Sequence, residues 1–255
     1  MARYTIDTIE LTSPTSVADL LDKPAIPYWA VGLAVKYIEQ GYFYEDRRLS
    51  ELLKAASVEW KRVKEEAMDI GSEVHDIIEK YIKHGRDVFR NLRPEVENAV
   101  LAFLEWEKKH VVKWFHSELT VVSKKYCYAG TLDAIALMKD KEKGNVKRVI
   151  DFKSSKGFYD GYGKQIAAYK LAVEEMDELS IKVVKQNGKL VTVPNKDKYG
   201  PIDGCGILRL DKLTGEPDWR DYDKVQDRKA ASWLKLLDYY YSDKKRRLKN
   251  NPRAK

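Results

Sequence analysis

The chain has 255 residues, 44% of them apolar, with 47 Lys and Arg against 40 Asp and Glu. Six Trp and sixteen Tyr within that apolar share can fill a sizeable core and exclude a disordered chain, and Cys127 and Cys205 are too few for a disulfide framework, a four-Cys zinc site or a four-Cys iron–sulfur cluster. The net charge of +7 is local: residues 244–255 hold seven basic side chains and no acid, which leaves 40 of each sign elsewhere, so total charge alone does not argue for a nucleic-acid partner.

At this length one domain over 1–255 is expected, with a mainly helical part over 1–112. The longest apolar run, Pro24 to Val35, is broken by Pro27 and is too short to span a bilayer. The opening residues lack the layout of a signal peptide. A cytoplasmic protein with no membrane partner is expected. Leu53, Ala56, Trp60, Val63, Ala67, Ile70, Val74, Ile77 and Tyr81 recur at steps of three and four, which predicts one long helix. Near its end Gly71 and His75 lie one turn apart, beside the stripe. Glycine in a helix interior costs about 1 kcal/mol relative to alanine. A packing reason at Gly71 is therefore expected, and His75 reads equally well as a structural residue or a ligand. Residues 95–112 form a second amphipathic pattern, with Pro94 at its first position.

The period then changes. Residues 118–123, 126–138 and 147–153 read as strands, joined by a short Lys124-Lys125 connection and a polar loop over 140–145. A helix is expected from 161 or 162 to 176, followed by a hairpin over 181–193 around Asn187-Gly188, a strand over 204–210 and a closing helix from 225 to about 241. Bunched strands followed by a helical crossover to another strand predict an α/β fold with a mixed central sheet flanked by helices. The catalytic sheet and closing helix would occupy 113–241, and 244–255 would form a basic tail.

Three groups of residues on those elements carry candidate chemistry. On a strand, residues two apart share a face, so Asp151 and Lys153 point the same way; alone, such a pair is an ordinary strand-end ion pair. Asp133 interrupts the apolar stretch of the preceding strand, where Asp is disfavoured, and Gly130 before it suggests a turn or bulge. If the two strands pair, Asp133 and Asp151 converge, and two close carboxylates repel or recruit a cation. Oxygen ligands suit Mg2+ or Mn2+. Lys153 can then hold a phosphate oxygen or steady an attacking water, and supplies charge to an anionic transition state. Gln165 and Tyr169, four apart on the next helix, share a face and can orient a phosphate or the lysine.

In order, Gly-x-x-x-His75, Glu118, Gly-x-x-Asp133, Asp151-x-Lys153 and Gln165-x-x-x-Tyr169 resemble the RecB-like branch of the PD-(D/E)XK nuclease superfamily. The phrases SELTVVSKKYCYAGTLDAIALM, VIDFKSSKG and KQIAAYKLAVEE are similar to those of phage-type and mitochondrial genome maintenance exonucleases. The likeness is good over 70–175 and loose over 14–40, where TSVADLLDKPAIPYWAVGLAV resembles the opening of the phage enzymes. It implies a restriction-endonuclease-like core of order αβββαβ with a helical N-terminal elaboration. It also implies Asp133 and Asp151 as metal-binding acids, the Phe152 carbonyl and His75 as further ligands, and Lys153 as the catalytic lysine. Gln165 and Tyr169 become the motif on the following helix, and Glu118 a frequent acidic position of less certain role. Leu132 stands where the family name has proline, and the cysteines of the iron–sulfur members are missing, so no such cluster is expected.

The implied activity is Mg2+-dependent DNA hydrolysis in processing, recombination or repair. Exonuclease action on ends is favoured, with single strands preferred and the helical first third arching over the site. An inactive nucleic-acid-binding protein of the same fold and an endonuclease are the alternatives. Lys124, Lys125, Lys156 and Lys164 are expected to meet the backbone, and Tyr159 and Tyr162, with Phe158, to stack on bases. The basic tail is an accessory phosphate contact or a solvated end.

Overall fold

The computed structural model describes residues 4–6, 9–44, 48–85, 88–176, 181–185, 188–193 and 200–250. The chain divides into two compact units, Met1–Leu20 with Val74–Lys255, and Leu21–Glu73. The smaller unit holds helices α2 (Ala25–Tyr44) and α3 (Leu49–Ala56) and the first part of α4 (Glu59–His84). The expected single stripe helix is thus two helices. The break falls at Ser57, whose hydroxyl turns back to donate to the Lys54 carbonyl (2.7 Å) and whose N–H closes the last turn on Leu53. Serine competes for backbone groups in this way. The stripe is correspondingly uneven: Ala56, Ile70, Val74 and Ile77 are buried, whereas Leu53 is exposed.

The larger unit is built on a five-stranded mixed sheet flanked by helices. Helix α5 (Pro94–His110) starts with Pro94, carries Glu95 and Glu97 in its first turn and Lys108, Lys109 and His110 in its last, matching its dipole at both ends. It runs directly into β3 (Val111–Ser123), seven residues earlier than the sequence pattern suggests. Strands β4 (Tyr128–Asp140) and β5 (Gly144–Lys153) continue the antiparallel meander, and β5 then pairs in parallel with β8 (Gly204–Leu210). A parallel pair needs a crossover, and α6 (Asp160–Glu175) supplies it. An unforeseen strand, β9 (Pro217–Asp221), gives the order β3-β4-β5-β8-β9. Helix α7 (Gln226–Asn250) closes the chain and extends the expected helix into the basic tail; 251–255 lie outside the described residues.

Both faces of the sheet are covered, so its middle strands are apolar throughout rather than alternating. On one face Tyr128 packs edge-on against Trp233 of α7 at 4.5 Å and donates to the Ala168 carbonyl of α6 (2.8 Å). On the other, Phe152 meets Phe103 of α5 at 5.6 Å and Trp114 at 6.4 Å. Arg148 lies in the same core, held by Asp223 (2.6 Å) and Asp140 (2.8 Å). A buried guanidinium requires such partners.

The expected hairpin exists as β6 (Ile181–Lys185) and β7 (Leu190–Val193), with Gly188 at φ +79°, where glycine is the natural occupant. Asn187 lies outside the described residues. The hairpin joins two N-terminal strands, β1 (Tyr4–Ile6) and β2 (Ile9–Leu11), in a second sheet of order β2-β1-β6-β7. Between β2 and α2 lies a short helix, α1 (Pro14–Ala18), capped by Ser13.

Candidate metal and phosphate site

Every residue of the site lies in the larger unit. Strand β4 pairs with β5 as far as Ala134↔Ile150, and the next opposed positions are Asp133 and Asp151. There the backbone ladder stops. The Phe152 N–H donates to Asp133 Oδ2 instead (2.6 Å), so a side chain takes the place of a strand carbonyl and both acids come to one opening of the sheet. Asp133 and Asp151 are buried, 8% and 2% exposed. The Phe152 N–H is thus tied to Asp133, and its ring packs edge-on against His75 at 6.2 Å.

On the other side of Asp133, β3 pairs Ser117↔Ala134 and Leu119↔Leu132, which sets Glu118 opposite Asp133. Glu118 has φ +55°, the left-handed region that a residue with a Cβ rarely adopts. Such strain costs on the order of 1–3 kcal/mol and gathers at functional positions. Helix α4 brings His75, whose Nδ1 lies 3.3 Å from Asp133 Oδ1. Ligand atoms of His75, Glu118 and Asp133 all lie within 4.8 Å of one another, a group that can hold a metal ion. Glu118, which the sequence pattern leaves without a defined role, belongs to this group.

Asp151 faces Lys153 instead, with Lys153 Nζ 2.6 Å from Asp151 Oδ2. The contact is ionic but not aligned as a hydrogen bond, and Asp151 Oδ2 has no hydrogen-bond partner among the described residues. A buried carboxylate oxygen whose close neighbour is an ammonium keeps lone pairs that a cation can use. The Tyr162 ring lies under the Lys153 ammonium at 5.2 Å.

The titration behaviour follows from these neighbours. Burial, and then the Asp133 charge, push the Glu118 carboxyl up to about 7. Burial pushes Asp151 up to about 6 against the pull of Lys153. Burial also opposes ionisation of Asp133, but His75, Lys153 and the Phe152 N–H outweigh it and hold Asp133 below its ordinary value. His75 is raised: burial pulls it down, and Asp133 more than offsets this. Lys153 is raised by Asp151 and Asp133 despite burial, so it is an ammonium at neutral pH and acts as a cation, not a base.

The helix motif also lies beside this opening. Gln165 Nε2 donates to Thr15 Oγ1 of α1 (3.0 Å). Tyr169 interacts with Thr15 and Gln165 and feels the Asp151 charge; burial first, and that charge, keep its phenol protonated well above the ordinary range. Its ring explains Gly130, which is no turn or bulge but sits mid-strand opposite Val121. A Cβ there would lie 2.5 Å from Tyr169 Cε1 and 2.9 Å from Pro14 Cδ. Gly130→Ala is expected to destabilise the protein by about 1–3 kcal/mol through overpacking, measurable as a lower urea midpoint at unchanged slope.

Of the expected phosphate contacts, Lys156 and Tyr159 are exposed. Tyr162 packs edge-on against Tyr159 at 5.4 Å. Lys164 pairs with Asp160, which Lys229 also binds. Lys124 and Lys125 are exposed at the β3–β4 turn, beyond five strand residues from Glu118, and so about 17 Å along the sheet from it. Thr15 was missed, and so was Lys185 of β6, whose Nζ donates to Thr131 Oγ1 (3.2 Å). Neither carries a periodic or motif signal of its own.

Compared with models of known protein families the chain matches none, and no curated protein matches it in sequence. The site's own geometry therefore carries the functional argument.

Proposed function

We propose that the protein is a Mg2+-dependent nuclease that hydrolyses phosphodiester bonds of DNA, most readily at strand ends. The observation that carries this reading is the pairing of the Asp151–Lys153 contact with the His75, Glu118 and Asp133 group at one opening of the sheet. A permanent ammonium beside a cluster of cation ligands is what a dianionic transition state requires. The resemblance to RecB-like nucleases in residue order supports the same reading, and the preference for ends rests on that resemblance.

The donor set of carboxylates and one imidazole fits Mg2+ or Mn2+, with His75, Glu118 and Asp133 as its holders and Asp151 Oδ2 as an additional oxygen. When bound, such an ion supplies Lewis-acid polarisation of the phosphoryl group and lowers the pKa of water. The chain's own residues do the rest. Asp133 holds His75 and the Phe152 N–H in place. Asp151 and the Tyr162 ring fix the Lys153 ammonium where negative charge grows on the phosphoryl oxygens. Gln165 and the protonated Tyr169 are donors that orient a phosphate oxygen. Lys156 and Tyr159, exposed on the segment joining β5 to α6, are the side chains this reading assigns to the strand.

The deciding experiment is a time course on end-labelled single- and double-stranded DNA and on closed circular single strands, with Mg2+ or EDTA. Mg2+-dependent release of nucleotides from free ends, with circles spared, is expected. Efficient cutting of circles would make the protein an endonuclease, and no cleavage in any arm would leave the inactive binding reading.

A further inference from the structure

We infer that Lys185 is a second phosphate-binding residue of this site, one that holds a phosphate of the bound strand other than the scissile one; the inference rests on the nuclease reading above. Lys185 ends β6 and lies directly opposite Tyr4 of β1. Both side chains reach out of the small sheet to the same atom of the large one: Thr131 Oγ1 is 3.2 Å from Lys185 Nζ and 3.0 Å from the Tyr4 hydroxyl. Thr131 precedes Asp133 by two residues on β4, so the two share a face about 6.6 Å apart. The second sheet therefore delivers a cation to the rim of the carboxylate cluster, one strand repeat from Asp133.

The chemistry of that cation is incomplete. An ammonium has three donors. Among the described residues the Lys185 ammonium makes one hydrogen bond, to a neutral hydroxyl, and no ion pair. It is partly buried, and burial holds its pKa below the ordinary lysine value, with the Glu118 charge the largest opposing influence. The ammonium thus keeps two donors beyond Thr131 for an anion, beside the Glu118 and Glu79 charges that already act on it. Lys153 is already engaged at the carboxylates, so Lys185 is free to take a neighbouring phosphate. The competing explanation is that Lys185 only staples the two sheets together through Thr131.

The test measures binding of a fluorescent single-stranded oligonucleotide to the full chain across a salt series, with Ca2+ replacing Mg2+ to prevent turnover. For Lys185→Met, affinity is expected to fall about fivefold and the slope of log K against log salt to become shallower by about 0.7, the loss of one phosphate contact on a single strand. Lys185→Arg should restore the slope, and kcat at saturating DNA should stay within about twofold of wild type, since a contact made equally in ground and transition states changes KM alone. Unchanged affinity and slope in Lys185→Met would overturn the inference. So would a lowered melting temperature with an unchanged slope, the signature of a staple. A parallel arm uses probes with and without a terminal phosphate. If only the phosphorylated probe senses Lys185→Met, the contact is to a strand end; if both do equally, it is to an internal phosphodiester. A wild-type protein that neither binds nor cleaves DNA would defeat the nuclease reading itself, and the Lys185 inference with it.

Discussion

A Lys153→Met variant should lose Mg2+-dependent cleavage by about 10³-fold, the scale for removing one preorganised charge from a water-poor site. It should remain folded, with an unchanged circular dichroism spectrum. The methionine keeps the stem that packs toward the Tyr162 ring and loses only the ammonium. Its former partner does not stay charged and alone: Asp151 already titrates near 6, and without Lys153 it rises further and takes up a proton. Neutralisation thus limits the stability loss. Asp151→Asn should be as inactive but less stable, because Lys153 is left cationic beside a neutral amide. Full cleavage by purified Lys153→Met would remove this lysine from the chemistry and with it the best argument for a nuclease.

Some of the site was legible because strand and helix periods are rigid. Asp151 and Lys153 share a face of any strand, and Gln165 and Tyr169 a face of any helix, whatever the tertiary fold. Asp133 stood out as an acid in an apolar strand. Glu118 could not be ranked, since its approach to Asp133 depends on the β3–β4 register and on a left-handed backbone at φ +55°. Neither has a residue signature when the occupant is glutamate. Gly130 is visible as an anomaly but reads as a turn or bulge, because the ring it accommodates lies 39 positions further along at Tyr169.

The central sheet was similarly readable from its long apolar strands, and its helical crossover from the change of period. The second sheet was not: β1 and β2 have three residues each, too few to show alternation, and β1 pairs with a hairpin about 180 positions later. The stripe from Leu53 to Tyr81 kept its phase across the break at Ser57, so periodicity could not reveal it. Lys185 is hidden for the same reason as its sheet, since only the β1–β6 pairing aims it at Thr131.

The acids of the site also predict how stability depends on pH. Glu118 and Asp151 have folded pKa values raised to about 7 and about 6. A carboxyl raised on folding binds more protons folded than unfolded, so its stabilisation is present below the folded value and lost as pH climbs from the unfolded value through it. His75, also raised, loses its contribution as pH rises through its folded value, the same direction. Asp133 is depressed, and its contribution is lost only in acid, below this window. Metal-free protein is therefore expected to be more stable at pH 5 than at pH 8, by about 2–4 kcal/mol from the two raised carboxyls. Glu118→Gln should flatten most of that slope. A divalent ion binds the deprotonated ligands, so added Mg2+ should raise the melting temperature at pH 8 and do little at pH 5, where protons compete for the same oxygens. Scanning calorimetry of both proteins at the two pH values, with EDTA or Mg2+, measures all of this without any substrate. Equal pH slopes in wild type and Glu118→Gln, with Mg2+ indifferent at pH 8, would mean that the strained glutamate opposite Asp133 is not a cation ligand.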